Sequence, residues 1–344
     1  MKPFQKRIRI VQLAVASFAV ATLLGAGAAS AENFRLSTLG PGTSPYVVMT
    51  TFANIVNDKV PGAQVQVNAT GAATRHVVET AMGRSEFAMM SPSMVPMMQN
   101  NVGPYKRVPQ APELIKELRL VLNFPLGYYH IITFADSGIT RLKQIKGKRV
   151  FLGPPGGAGT LIAARLIKGL TGYEAGKDYD TADLGWDAAA QSFQDGHIDV
   201  YVNPTLAPSP VIQQIAMLKR IRLLGMPDPL PPNEDLHELI NRPGGQVGTI
   251  PAGVYGEGQV NQEDVRTIMS IGGIVTRANI PEETIYRMTK AFWENLDSRK
   301  GRVPVLKNIA LENALQEANL PLHPGALRYY REVGLEIPRE LVPK

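Results

Sequence analysis

The spacing of apolar positions changes along the chain, and each change marks an element. Asn33 to Thr38 is a strand-like run. After the loop Leu39-Gly40-Pro41-Gly42-Thr43-Ser44-Pro45, the residues Val48, Phe52, Ile55, Val56 and Val60 recur at helical spacing. Ser44 can cap that helix with Pro45 in its first position, and Pro61-Gly62 stops it. Gln64 to Asn68 alternates polar and apolar, as a strand does. Ala69-Thr70-Gly71 then turns the chain into a helix from Ala72 to Met82, closed by Gly83, before a third strand, Phe87 to Met90. Such a strand–helix alternation predicts a parallel sheet.

Leu118 to Asn123 and Tyr129 to Phe134 read as two further strands, and a second series begins after Gly147. Arg149 to Leu152 is a strand, Gly153 to Thr160 a Gly/Pro loop, and Leu161 to Leu170 a helix with Ile162, Leu166 and Leu170 on one face. Trp186 to Gln194 is helical up to the stop at Asp195-Gly196. Ile198 to Val202 is a strand, Ser209-Pro210 opens another helix, and Arg220 to Leu224 is strand-like. Pro227 to Gly258 is rich in Pro and Gly and reads as irregular surface. Arg266 to Thr276 reads as a strand returning to the first unit, and Pro281 to Leu296 as an amphipathic helix.

Two α/β units in succession, joined by more than one crossing, make a hinged cleft. The expected fold is α/β and two-lobed, each lobe a mainly parallel sheet flanked by helices. It resembles the type II architecture of periplasmic binding proteins, with the ligand between the lobes. The boundaries are 1–31 for a leader, 32–125 with 266–344 for lobe I, and 126–265 for lobe II.

The leader rests on Lys2, Lys6, Arg7 and Arg9, the apolar run Ile10 to Leu24, and Ala29-Ser30-Ala31, which together follow the grammar of a cleaved secretory signal. The expected location is therefore periplasmic. Those four residues supply most of the formal net charge of +6; beyond them, 32 basic residues face 30 acidic ones. That balance, without a dense basic run, argues against nucleic acid as a partner. There is no cysteine, which removes thiol nucleophiles and Cys-ligated metal.

Enzyme motifs fail in turn. Gly159 stands where a phosphate-binding P-loop needs Lys before Thr160, and Ile162 stands where a dinucleotide fingerprint needs its third Gly. His76, His130, His197, His237 and His323 show no metal-ligand spacing, and no G-x-S-x-G elbow occurs. No catalytic residue, metal or cofactor is expected.

What recurs is a strand ending in a loop of Gly, Pro, Ser and Thr that opens a helix. These loops hold Thr43, Ser44 and Tyr46; Thr70, Gly71 and Ala72; Gly156, Gly157, Ala158, Gly159 and Thr160; and Asn203 to Ser209. Each offers backbone N–H groups, a positive helix end and hydroxyls, which together hold an anion. Taken singly, each is also an ordinary capped turn. Tyr128-Tyr129-His130 falls at the proposed crossing, Arg75 reads as a surface residue, and Met89, Met90 and Met94 read as core.

Ala69-Thr70-Gly71 with its helix, Gly147-Lys148-Arg149-Val150 leading into Gly153-Pro154-Pro155-Gly156, and Asp195-Gly196-His197-Ile198-Asp199 form an ordered series. It continues through Ala207-Pro208-Ser209-Pro210, Ile250-Pro251-Ala252-Gly253-Val254-Tyr255 and Pro321-Leu322-His323-Pro324-Gly325-Ala326-Leu327-Arg328-Tyr329-Tyr330. Over essentially all of the chain beyond the leader, this series resembles the TAXI-type solute-binding subunits of tripartite ATP-independent periplasmic (TRAP) transporters. The resemblance implies a monomeric receptor, not an enzyme, that delivers a small anionic solute to a TRAP membrane permease. The family's known solutes are mostly amino acids such as glutamate and related dicarboxylates. Its ligand contacts fall here on Thr43, Ser44, Tyr46, Thr70, Gly71, Ala72, Ser91, Ser93 and Gly156 to Thr160; Tyr201, Asn203 and Ser209 join them from the fourth loop. Ala72-Ala73 stands where the family often has Gly-Ser, and Ser91-Pro92-Ser93 where it is more polar, so glutamate itself does not follow. An enzyme on the same fold, or a receptor for an ATP-driven transporter, is the alternative.

Overall fold

In the computed structural model, which describes residues 32–344, the first strand-like run becomes β1 (Glu32–Ser37). It pairs in parallel with β2 (Ala63–Asn68) and with β3 (Phe87–Met90). The predicted leader lies outside the described residues. α1 (Ser44–Lys59) connects β1 to β2, and its N-cap is Thr43, whose Oγ1 accepts the Tyr46 N–H at 3.4 Å. Val48, Met49, Phe52, Ile55 and Val56 form its buried stripe. α2 (Ala73–Ala81) follows Gly71, which takes the left-handed φ of +79° that the turn requires. Two short helices, α3 (Met94–Gln99) and α4 (Ala111–Leu114), lead into β4 (Leu118–Phe134).

β4 is one strand of 17 residues, where the sequence pattern predicts two. The break in the pattern is Pro125 with Gly127. The β4 register against β10 (Val265–Arg277) shifts there, with Gly127 opposite Ser270 and Pro125 opposite Ile271. A proline with no N–H to give is tolerated at such an irregularity, so the strand bends instead of ending.

The second series gives β5 (Arg149–Phe151), α5 (Ala158–Thr171), β6 (Asp180–Thr181), α6 (Trp186–Gln194), β7 (Val200–Thr205), α7 (Pro210–Leu218) and β8 (Ile221–Leu223). The stretch expected to be irregular contains α8 (Glu234–Ile240) and β9 (Gly245–Ile250). Asn233 caps α8 by accepting the Leu236 N–H at 2.9 Å, and Leu236, Leu239 and Ile240 are buried. β9 owes its form to antiparallel pairing with β10, which local composition does not announce. α9 (Glu282–Lys300) and α10 (Pro324–Glu332) return the chain to the first lobe.

The strand order is β2-β1-β3-β10-β4-β7-β5-β6, with β8 on β4 and β9 on β10. The flanks are parallel, as expected; the two long middle strands run antiparallel to their neighbours. One apolar core gathers Phe34, Phe52, Phe87, Leu122 and Phe292. Two others lie around β5 and β7, one with Leu166 and Leu236, the other with Phe134, Phe193 and Ile215. The result is a mixed α/β, two-lobed fold in which β4 and β10 pass from one lobe to the other.

A buried polar chain crosses this junction. Ser44 Oγ accepts the Leu206 N–H at 2.8 Å and meets Thr205 Oγ1 at 3.0 Å; Thr205 Oγ1 in turn donates to Ser209 Oγ at 3.4 Å. The Ser209 N–H donates to Tyr255 Oη at 3.1 Å, and Tyr255 lies 2.7 Å from His130 Nε2. His130 Nδ1 is 3.0 Å from the Tyr128 carbonyl. A carbonyl only accepts, so Nδ1 carries the proton and Nε2 accepts from the tyrosine. Burial pushes the His130 pKa down to about 4, against weaker upward pulls from backbone partners. The neutral form is the one folding favours. Its contribution is complete above pH ~6.5, falls as pH drops toward 4, and reaches about 3 kcal/mol. Urea unfolding at pH 4 and pH 7 should show a smaller pH-dependent loss in His130→Gln than in the parent; equal losses would contradict this role.

Candidate functional site

Two helices, one from each lobe, begin at the same cavity. α2 starts after Ala72 and α5 after Gly157; both N-cap residues are extended and neither supplies a side-chain cap. The first N–H groups of a helix have no acceptor within it, and the aligned peptides place about half a positive charge at each start. Ala72, Ala73, Met89, Ser91 and Met94 form the lobe I wall, and Pro154, Gly157 to Thr160 and Trp186 the lobe II wall. The floor is Leu126 and Tyr129 of β4 with Ser270 of β10. The register shift that bends β4 sits beside these floor residues.

The cavity and its open mouth together hold about 560 Å³ of empty space. Its walls touch: Thr74 Oγ1, in the first turn of α2, donates to the Gly156 carbonyl at 3.0 Å. The lobes are thus clasped where the two helix starts meet.

Among the described residues, no Asp, Glu, Lys, Arg or His lines the cavity. Its polar side chains are few. Ser91 Oγ pairs with Ser93 Oγ at 2.9 Å, and Thr160 Oγ1 donates to the Pro154 carbonyl at 2.7 Å, keeping its lone pairs free to accept. Ser270 Oγ accepts from Arg242 Nη2 at 2.7 Å, and its hydroxyl lies within reach of the Tyr129 phenol. Burial pushes the Tyr129 phenol up, opposed by Arg242 and Ser270 close by. The buried Nε1 of Trp186 has no hydrogen-bond partner. These donors beside uncapped helix starts can hold an anionic head.

Of the residues picked out from sequence, Ala72, Ser91, Gly157, Ala158, Gly159 and Thr160 line the cavity. Gly156 adjoins it through its carbonyl, and Ser93 backs Ser91. Gly71 is exposed and sets the turn into α2. Thr70 is exposed too; its hydroxyl donates to Asn68 Oδ1 at 3.1 Å and its carbonyl is held by His76 Nε2. Thr43 donates to the Gly40 carbonyl at 2.8 Å as part of its capping turn, and Tyr46 is half-buried on α1. Ser44 and Ser209 belong to the junction chain. Tyr201 is buried against Phe151, ring centroids 5.3 Å apart, and accepts from Asn203 Nδ2 at 3.1 Å.

Sequence reasoning passed over Trp186, Ser270 and Arg242; Met89 and Met94, read as core, are buried in the first core and line the cavity as well. Ser270 is one of three hydroxyl residues in β10, with Thr267 and Thr276, and Arg242 sits in a turn, Asn241-Arg242-Pro243-Gly244-Gly245, so neither stands out in the sequence.

A model of the NMT1-like family matches residues 36–334. Among solved structures, the chain is similar to a periplasmic transporter at 16% identity, covering 88% of this chain and 92% of that one, with a TM-score of 0.51. It is similar also to the alkanesulfonate-binding protein SsuA from Xanthomonas axonopodis pv. citri bound to MOPS, at 13% identity, with 88% and 85% covered and a TM-score of 0.47. A third is DctP7, a Bordetella pertussis extracytoplasmic solute receptor binding pyroglutamic acid, at 11% identity, with 88% and 93% covered and a TM-score of 0.46.

Proposed function

The chain belongs to the NMT1-like family, and from that membership, the two-lobed fold and the cavity we propose that it is a periplasmic receptor for a small carboxylate-bearing solute, which it delivers to a membrane permease. The observation that carries this reading is the meeting of two uncapped helix starts, one per lobe, over a cavity without an acidic side chain. A carboxylate between them receives N–H bonds from both lobes at once. Those bonds exist together only when the lobes are closed, so the solute favours the closed state by its differential affinity. The Thr74–Gly156 bond adds to the same state.

The ordered motif series from Ala69-Thr70-Gly71 to the ending at Pro321 to Tyr330 supports a permease of the TRAP type. The lobes are taken as 32–125 with 266–344, and 126–265. Separate cores support this division, one drawing mainly on residues 34–126 and 274–341, the others on 129–268. Among the described residues no helix is long and apolar enough to cross a membrane.

The test is calorimetry with the solute released from natively purified protein, compared with its amide and methyl ester. A charge-assisted hydrogen bond contributes about 1.5–3 kcal/mol, so the acid should bind about ten- to a hundredfold tighter. Equal binding of the neutral derivatives would overturn the carboxylate reading.

A further inference from the structure

We propose that the solute is an organic monoanion with an apolar body, carrying neither an ammonium group nor a second carboxylate, and that Arg242 supports its charge through Ser270. This rests on the receptor reading above and narrows it.

The charge available at the cavity is about one unit. Each helix start contributes about half a positive charge, and the two are tied together by the Thr74–Gly156 bond. The floor donors adjoin the same place, since a Cβ on Gly159 would lie 3.7 Å from Tyr129 Oη. One carboxylate fills this environment. An ammonium would need an acidic side chain, and none lines the cavity. A second carboxylate would face Met89, Met94, Leu126, Ile162 or Trp186, which offer it no cation.

Arg242 stands out as a cation without a counter-ion. Nη1 donates to the Leu239 carbonyl at 2.6 Å and Nη2 to Ser270 Oγ at 2.7 Å, while the buried Nε has no partner. Among the described residues no carboxylate lies within ion-pair distance of it. Burial lowers its pKa from the ordinary value, with Tyr129 opposing that shift. A largely buried guanidinium set behind a cavity-lining serine gains a counter-charge when an anion enters. Its bond takes one of the two Ser270 lone pairs, so the hydroxyl proton turns away from the guanidinium, toward Tyr129 and the cavity. Arg242 is in this sense a positioning residue: it acts through Ser270.

The experiment is calorimetry with phenylacetate and 4-methylpentanoate as monoanions, phenylalanine and leucine as their zwitterionic counterparts, and glutarate and glutamate for the second carboxylate. The monoanions should bind at least tenfold tighter than the zwitterions and the dicarboxylic acids. In Arg242→Met the monoanion affinity should drop about tenfold, and Arg242→Lys should restore part of it, with both variants melting as single folded species. Preference for glutarate, glutamate, leucine or phenylalanine overturns the monoanion proposal and leaves the receptor reading standing. Arg242→Met binding monoanions as well as the parent overturns the role of Arg242. Failure of all six probes, in protein that also carries no solute when purified natively, overturns the receptor reading and this proposal together.

Discussion

Replacing Gly159 with aspartate is expected to weaken solute binding at least a hundredfold while leaving the unliganded protein as stable as before, or more so. Gly159 is the second residue of α5 and lines the cavity. A Cβ there meets Tyr129 Oη at 3.7 Å and Pro204 Cγ at 3.8 Å, which is ordinary contact, so a Cβ is accommodated. The new carboxylate then lies beside the position the solute's carboxylate takes. At an effective dielectric constant of 20, two such charges about 4 Å apart repel by about 4 kcal/mol, more than the roughly 2.7 kcal/mol of a hundredfold loss. The free protein feels the opposite effect. An acid in the first turn of a helix stabilises it by about 0.3–1 kcal/mol, and losing a glycine from the helix adds about 0.5–1 kcal/mol. Gly159→Asn separates charge from shape and should cost no more than about tenfold in affinity. Calorimetry and thermal melts on both variants check this. Aspartate that binds solute as well as the parent would remove the α5 start from the site.

Gly127→Ala is expected to abolish the folded protein altogether. Gly127 sits in β4 with φ of +120°, a conformation L side chains rarely adopt. An added Cβ would lie 2.0 Å from the Thr205 carbonyl carbon and 2.3 Å from the Leu206 nitrogen. Neither neighbour can move aside. Gly127 is paired with Ser270 of β10, and the next residue, Tyr128, is paired with Thr205 of β7. A backbone clash held from both sides belongs to the rare substitutions costing more than about 4–5 kcal/mol, a large share of the about 5–15 kcal/mol that a folded protein has. Soluble yield and circular dichroism read the outcome. An alanine variant melting within a few degrees of the parent would show that the crossing of β4 and β7 is looser than its geometry. The same contact explains why the junction polar chain and the cavity floor stay together: Thr205 and Leu206 bond Ser44, while Leu126 and Tyr129 line the cavity.

How much of this was legible in the chain follows from whether each signal is local. The helix starts were legible to within about three residues, because Ser44-Pro45, Gly71 and the run Gly153 to Thr160 carry their turn chemistry locally; yet Thr43 rather than Ser44 is the cap, and α5 begins at Ala158, inside the expected loop. So was the alternation that makes the two lobes α/β. The floor was not. Ser270 meets Gly127 across a pairing of strands far apart in sequence, and the irregularity beside them arises only when those strands align. Arg242 reaches Ser270 over 28 residues, from a turn whose composition announces only a turn. Thr70 shows the converse limit. It looks suited to a cleft, yet the hydroxyl turns to Asn68 two residues back, because a short polar side chain satisfies itself locally when it can. Met89 and Met94 read as core for a sound reason: methionine fills irregular apolar space, and a cavity wall is such a space. β9 was hidden because its partner β10 makes it a strand.

The most direct measurement is a crystal structure of the protein purified natively with its solute retained. The account predicts that the solute lies between the lobes with its carboxylate about 2.7–3.2 Å from backbone N–H groups at the starts of both α2 and α5. It also predicts the Thr74–Gly156 bond intact and the apolar body against Met89, Leu126 and Trp186. A solute bound outside this cavity, or one inside it with its carboxylate away from both helix starts, would contradict the account.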